Sequence, residues 1–124
     1  MKAVGAKVWA IPGGWMPLRS SGREPEGTSR DELFVLNASK KEALLELQIY
    51  YGDRDPVGPY RLRVAAERMR CVRFNDLIDP QALPLDTPYA CVIRSDEPVV
   101  VQFTRLDASP PAHAIATTIA FAAH

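Results

Sequence analysis

The feature that most constrains this chain is an alternation of apolar and polar side chains with period two, which recurs from one end to the other. In LLELQIYY (44–51), Leu45, Leu47, Ile49 and Tyr51 fall on one face while Glu46, Gln48 and Tyr50 fall on the other. A pleated strand sends successive side chains to opposite faces, so this pattern describes a half-buried strand. Propensity alone favours a helix over KKEALLEL (40–47), but the alternation runs on into β-favouring Ile49, Tyr50 and Tyr51, and it decides for strand.

The same reading gives strands over Lys7 to Ile11, Leu33 to Ala38, Tyr60 to Val64, Met69 to Phe74, Tyr89 to Arg94 and Val99 to Leu106. A last one is expected over Ile115 to Phe121. Residues 112–123 stand between strand and helix, because Ser109-Pro110 followed by alanines is also a helix-start signal. Turns are expected at Pro12 to Gly14, Asp53 to Pro59, Asp79 to Pro88 and Ser95 to Pro98, and a long polar loop over residues 17–32. The phase slips near Cys71: Met69 and Cys71 share a face with Arg73, whereas Val72 and Phe74 belong in a core. A β-bulge is expected there. About eight strands with no helix-strand repetition predict an all-β fold, an antiparallel β-sandwich or jelly roll, in a single domain over 1–124.

Fifteen basic and fifteen acidic residues cancel. That balance removes the long-range attraction to phosphate on which sequence-independent nucleic-acid binding depends. Arg61, Arg63, Arg68, Arg70 and Arg73 are close in sequence and are read as the solvated face of a hairpin. A DNA-associated regulator using that face remains the weaker alternative. The start, MKAVGAKVWAIPGG, lacks the apolar run and cleavage site of a signal peptide, and no segment reaches the roughly 18 to 20 apolar residues of a membrane helix, so a soluble cytoplasmic protein is expected. Cys71 and Cys91 have no metal-ligand or redox spacing and sit in apolar runs, where small buried thiols fit.

Chemistry is sparsely signposted. Asp53 and Asp55 have a DxD spacing but lack the further ligands of a calcium loop, and no metal or cofactor is expected. His113 and His124 are the available histidines, and neither is set to activate a nucleophile. Asp76, Asp79 and Asp86 lie among prolines and turn-forming neighbours, where an aspartate bonds its own backbone. A carbohydrate-active enzyme using aspartates near Arg73 is therefore an alternative to a non-enzymatic binding protein. The polar and aromatic groups at strand ends, Trp9, Asn37, Tyr50, Arg73, Asn75, Gln102 and Arg105, are the candidate ligand-binding set. They are expected to share a hollow at one end of the sandwich, where rings stack on a sugar face and amides or guanidinium groups bond hydroxyls or a carboxylate.

Several runs carry a resemblance: VWAIPGGWMP, LNA (36–38), IYYGDRDPVGPYRLRV, VRFNDLIDP, DTPYACVI and PVVVQFTRLD, in this order along nearly the whole chain. They resemble the Anabaena sensory rhodopsin transducer family. The resemblance implies a cytoplasmic β-sandwich akin to carbohydrate-binding jelly rolls, assembled as a homotetramer. It implies signal transduction, small polar ligands such as sugars, and in some members a membrane rhodopsin as partner. Its polar and aromatic motif residues fall on the same seven positions, Trp9 to Arg105. Phe103 departs from the pattern, standing where the namesake has a polar residue beside the glutamine.

Overall fold

The computed structural model describes residues 3–16, 30–107 and 114–122. They form an antiparallel β-sandwich of eight strands: β1 (Ala6–Gly14), β2 (Arg30–Asn37), β3 (Ala43–Tyr50), β4 (Val57–Val64), β5 (Arg68–Arg73), β6 (Tyr89–Asp107), β7 (Ala114–Ile119) and β8 (Phe121–Ala122). The first sheet has the order β4-β3-β6-β1-β8, and the second has β5-β2-β6-β7. The alternation of β3 is realised residue by residue. Ala43, Leu45, Leu47 and Ile49 are buried, while Leu44, Glu46 and Tyr50 are exposed. With Leu33, Val35, Ile93, Val99 and Val101 they fill the space between the sheets. Burial of each such aliphatic side chain contributes roughly 1.5–3 kcal/mol.

Several expectations need correction. Pro12 to Gly14 is not a turn but the end of β1, and Val57 to Pro59 open β4 rather than closing the turn from Asp53. Ser95 to Pro98 is not a turn: residues 89–107 form one strand that starts in the first sheet and finishes in the second. Pairing to β3 ends at Ser95, pairing to β1 resumes at Val99, and pairing to β2 reaches Val100. Pro98, which has no N–H to give a ladder, sits in the gap at the corner. The groups around that gap find other partners: Glu97 N donates to Ser95 Oγ (3.3 Å), and Asp96 Oδ1 accepts from Leu44 N (2.7 Å).

β4 and β5 are not a hairpin, since β4 pairs with β3 and β5 with β2. Their connection, residues 65–67, crosses from one sheet to the other. Glu67 adopts a left-handed φ of 54° there, and its N–H donates to Ser39 O (3.0 Å).

No bulge occurs at Cys71, because the β2/β5 ladder runs unbroken from Glu32↔Arg73 to Asn37↔Arg68. β5 is an edge strand, so residues 68–71 are exposed on both faces and only Val72 turns into the core. Phe74 reaches the core because it opens a 3-10 turn, Phe74–Asp76, rather than continuing the strand.

Finally, Arg30 to Glu32 belong to β2 and not to the expected loop, whose residues 17–29 lie outside the described residues. Residues 114–119 and 121–122 are strand, as the Thr117, Ile119, Phe121 alternation predicts. β7 lies in the second sheet and β8 in the first, with Ala120 buried at the crossing.

Candidate functional site

β4 and β5 are the facing edges of the two sheets, and between them lies an open hollow of about 560 Å³. Its apolar surface comes from Tyr60 and Leu62 of β4, Val72 of β5, and Leu77 and Ile78 just after the 3-10 turn. Tyr60 is fully buried and its hydroxyl donates to Gln81 O (2.6 Å). Burial pushes that phenol up to about 12, so it remains a donor. The volume lies in the range of small-molecule sites.

The charged rim is mixed: Arg30, Arg61, Arg70 and Arg73 face Glu32, Asp76 and Asp79. Glu32 is held by Arg30 and by Cys71, whose thiol donates to Glu32 Oε2 (3.2 Å). Burial acts to raise the Glu32 carboxyl, but its hydrogen bonds to Arg30 and Cys71 outweigh burial and leave it below its ordinary value. Burial of the sulfur, reinforced by the Glu32 carboxylate, pushes the Cys71 thiol up to about 11. Contrary to expectation Cys71 is an exposed residue, because it lies on an edge strand, whereas Cys91 is buried in the core. Arg61 reaches Glu46 (3.5 Å) and Arg70 donates to Arg63 O (2.9 Å). The Nε of Arg73 is closed to solvent and has no hydrogen-bond acceptor.

The hollow takes in Arg73 but not the other six candidates. Trp9 is a core residue whose Nε1 donates to Ala6 O and Val99 O, both at 3.0 Å, tying β1 to the corner of β6. Asn37 is fully buried. Its amide nitrogen donates to Lys41 O (2.8 Å), Val64 O (3.1 Å) and Ala65 O (3.2 Å), and its oxygen accepts from Ser39 N and Oγ. Tyr50 is exposed at the end of β3, and Asn75 lies in the 3-10 turn. Gln102 lies on the outer face of the second sheet, over a shallow apolar depression formed by Phe34, Leu36, Met69 and Val100. Arg105 pairs with Asp31. Trp9, Asn37, Arg73 and Gln102 therefore do not share one concavity. Alternation assigned them to strand ends, but not to the face or the sheet on which each would land.

Sequence reasoning also missed a buried polar cluster. Asp31 is fully buried and accepts from Tyr89 Oη (2.6 Å), Trp15 N (2.9 Å) and Arg105 Nε (3.3 Å). Burial raises the Asp31 carboxyl above its ordinary value, against the lowering effects of Tyr89, Arg105 and Trp15. Burial and the neighbouring Asp31 charge push the Tyr89 phenol far upward, so it stays protonated and donates. Gly14 makes room for the Tyr89 ring, which a Cβ there would meet at 2.3 Å. Asp31 was read as part of a polar loop. Its place two residues before Leu33, in phase with inward-facing Leu33, Val35 and Asn37, was the signal that it belongs to the strand.

Asp76, Asp79 and Asp86 are exposed. Among the described residues no group of three or more His, Cys, Asp or Glu side chains is placed to hold a metal ion, and no helix is long and apolar enough to cross a membrane.

The family model for the Anabaena sensory rhodopsin transducer matches residues 4–122, nearly the whole chain. The chain belongs to this family. Among solved structures, the Anabaena sensory rhodopsin transducer is 47% identical with a TM-score of 0.77, the match covering 84% of this chain and all of that one. The crystal structure of Thermotoga maritima 1070 is 25% identical with a TM-score of 0.82, covering 97% of each chain. No curated protein matches. Membership in a transducer family supports a role in signal transduction, and both relatives share the β-sandwich described above.

Proposed function

We propose that this protein is a soluble, cytoplasmic, non-enzymatic signal transducer that binds a small polar molecule, such as a sugar or a related compound, in the β4/β5 hollow. The observation that carries this reading is a concavity of about 560 Å³ with an apolar floor and a rim of arginines and carboxylates, in a chain whose family is named for transduction. Apolar surface suits the hydrophobic face of a sugar ring, and arginine heads suit its oxygens. Arg73, Arg61 and Arg70 are the proposed polar contacts, with Tyr60 and Leu62 as floor. The relative that is 47% identical is named as a sensory rhodopsin transducer, so a membrane rhodopsin is the partner class proposed here, and a homotetramer is the proposed assembly.

Thermal denaturation against a panel of sugars, sugar acids and nucleotides tests the ligand. A true ligand at 100 times its Kd stabilises the fold by about 2.7 kcal/mol. A flat panel, combined with no capture by a rhodopsin in detergent, refutes the proposal. Light scattering of the purified protein checks the assembly, and a monomer at micromolar concentration removes that part.

A further inference from the structure

We infer that the hollow is built for one carboxylate, held side-on by the Nε edge of Arg73, so that its ligand is a singly charged organic acid rather than a neutral sugar or a phosphate ester. The inference rests on the ligand-binding reading above and narrows it.

The rim arginines are not equivalent. Arg30 is paired with Glu32, Arg61 with Glu46, and Arg70 with the carbonyl of Arg63. Arg73 opposes Glu32 in the β2/β5 ladder, yet its Nε is shut off from water with no acceptor. Among the described residues it is the one guanidinium nitrogen in that condition. A buried donor without an acceptor carries an uncompensated desolvation cost, which a ligand oxygen would remove once the Arg73 side chain, part of the hollow's lining, turns that edge outward to meet it. The Nε–H and one Nη–H of an arginine form two parallel donors, matched in spacing to the two oxygens of a carboxylate. A neutral hydroxyl fills at most one of them and brings no charge.

Charge sets the upper limit. Four arginines and three carboxylates line the hollow, and Glu46 just outside it offsets Arg61, so the rim has no surplus of positive charge to hold a dianion. The Cys71 thiol stays protonated and adds no negative charge. One negative charge on the ligand is met by the Arg73 guanidinium. A second, as on a phosphate monoester, would face Asp76 and Asp79 without a further free cation.

Acetate is the minimal probe, and the arginine Nε–H resonances in proton–nitrogen NMR spectra are the readout. Acetate is titrated into the protein at constant ionic strength, in parallel with inorganic phosphate and with glucose. The expected result is one Nε–H signal, absent from the Arg73→Lys variant, that moves downfield and saturates with acetate at several-fold lower concentration than with phosphate. Arg73→Lys keeps the charge but loses the fork, and acetate affinity, followed through neighbouring backbone amides, falls by about tenfold. Iodoacetamide labelling of Cys71 in the unmutated protein, slowed by acetate, gives a second readout that does not depend on the variant folding. An Arg73 signal indifferent to acetate, or phosphate acting at the lower concentration, overturns the inference. If glucose shifts the spectrum while acetate does not, the carboxylate inference falls and ligand binding stands. If neither acetate nor the wider panel binds, both fall.

Discussion

Replacing Tyr89 with phenylalanine removes one oxygen from the middle of the protein and little else. The ring remains, and with it the packing on Phe74 at 5.4 Å between centroids. What is lost is the 2.6 Å bond from Tyr89 Oη to Asp31 Oδ2, leaving Asp31 with Trp15 N and Arg105 Nε as its donors. A hydrogen bond to a charged, buried acceptor contributes about 1.5–3 kcal/mol. With a urea m-value of about 2 kcal/mol/M, a cost near 2 kcal/mol lowers the midpoint by about 1 M. The pH dependence carries a sign of its own. Because burial raises the native Asp31 value above 3.8, the folded protein holds that proton more tightly than the unfolded chain does. Its contribution to stability is therefore present at low pH and lost as pH rises from the unfolded value through the raised native one. Removing the Tyr89 donor raises the native value further, so the cost of Tyr89→Phe grows as pH rises from the native value of the unmutated protein to the higher one of the variant, and levels off above it. Urea melts of both proteins at a series of pH values from 4 to 8, followed by circular dichroism, measure this directly. A cost below about 0.5 kcal/mol at neutral pH, or one that does not change with pH, refutes the assignment of a charged acceptor at this site.

Asn37→Ala strips the donors from three backbone carbonyls and the acceptor from Ser39, and its expected cost is about 3 kcal/mol in the same urea assay, with Asn37→Asp no better because a carboxylate would face those carbonyls. Gly5→Ala places a Cβ 2.1 Å from Val99 O at a φ of +96°, so a loss of about 3 kcal/mol or more is expected. Gly13→Ala, which meets nothing within 4 Å, should stay within about 0.5 kcal/mol as the control. Thiol labelling of the native protein should modify Cys71 and spare Cys91, with a Cys71 rate still climbing above pH 9 because its thiol is pushed up to about 11. A Cys71 rate already flat by pH 9 would contradict a thiol raised by burial and by the Glu32 carboxylate.

The sandwich was legible because period-two patterning is a local property, and β3 displays it without interruption. The corner of β6 was not. Asp96, Glu97 and Pro98 have the composition of a turn, and only the positions of β1, β2 and β3 around them show that the strand keeps going. The connection between β4 and β5 misled for a related reason. A three-residue link between two strands reads as a hairpin until both strands are seen to have other partners. For the site, arginine at 73 was visible as a candidate, but its closed-off Nε depends on how β5 ends and the 3-10 turn begins. Trp9 and Asn37 share polar atoms with binding residues. Their own backbone neighbours use those atoms up, a fact that no spacing in the sequence records.

The two walls of the hollow are joined at one end and open at the other. Near residues 65–67 the joint is clamped, since Asn37 grips Val64 and Ala65 while Ser39 takes the N–H of Glu67. At the far end Arg73 passes into the 3-10 turn, and Tyr60 is latched to the backbone of Gln81. The arrangement is that of forceps, with the clamp as its joint and Tyr60 and Arg73 away from it. On the proposed reading, a molecule seated between the jaws would bear on the segment that carries Gln81, the part of the wall farthest from the clamp.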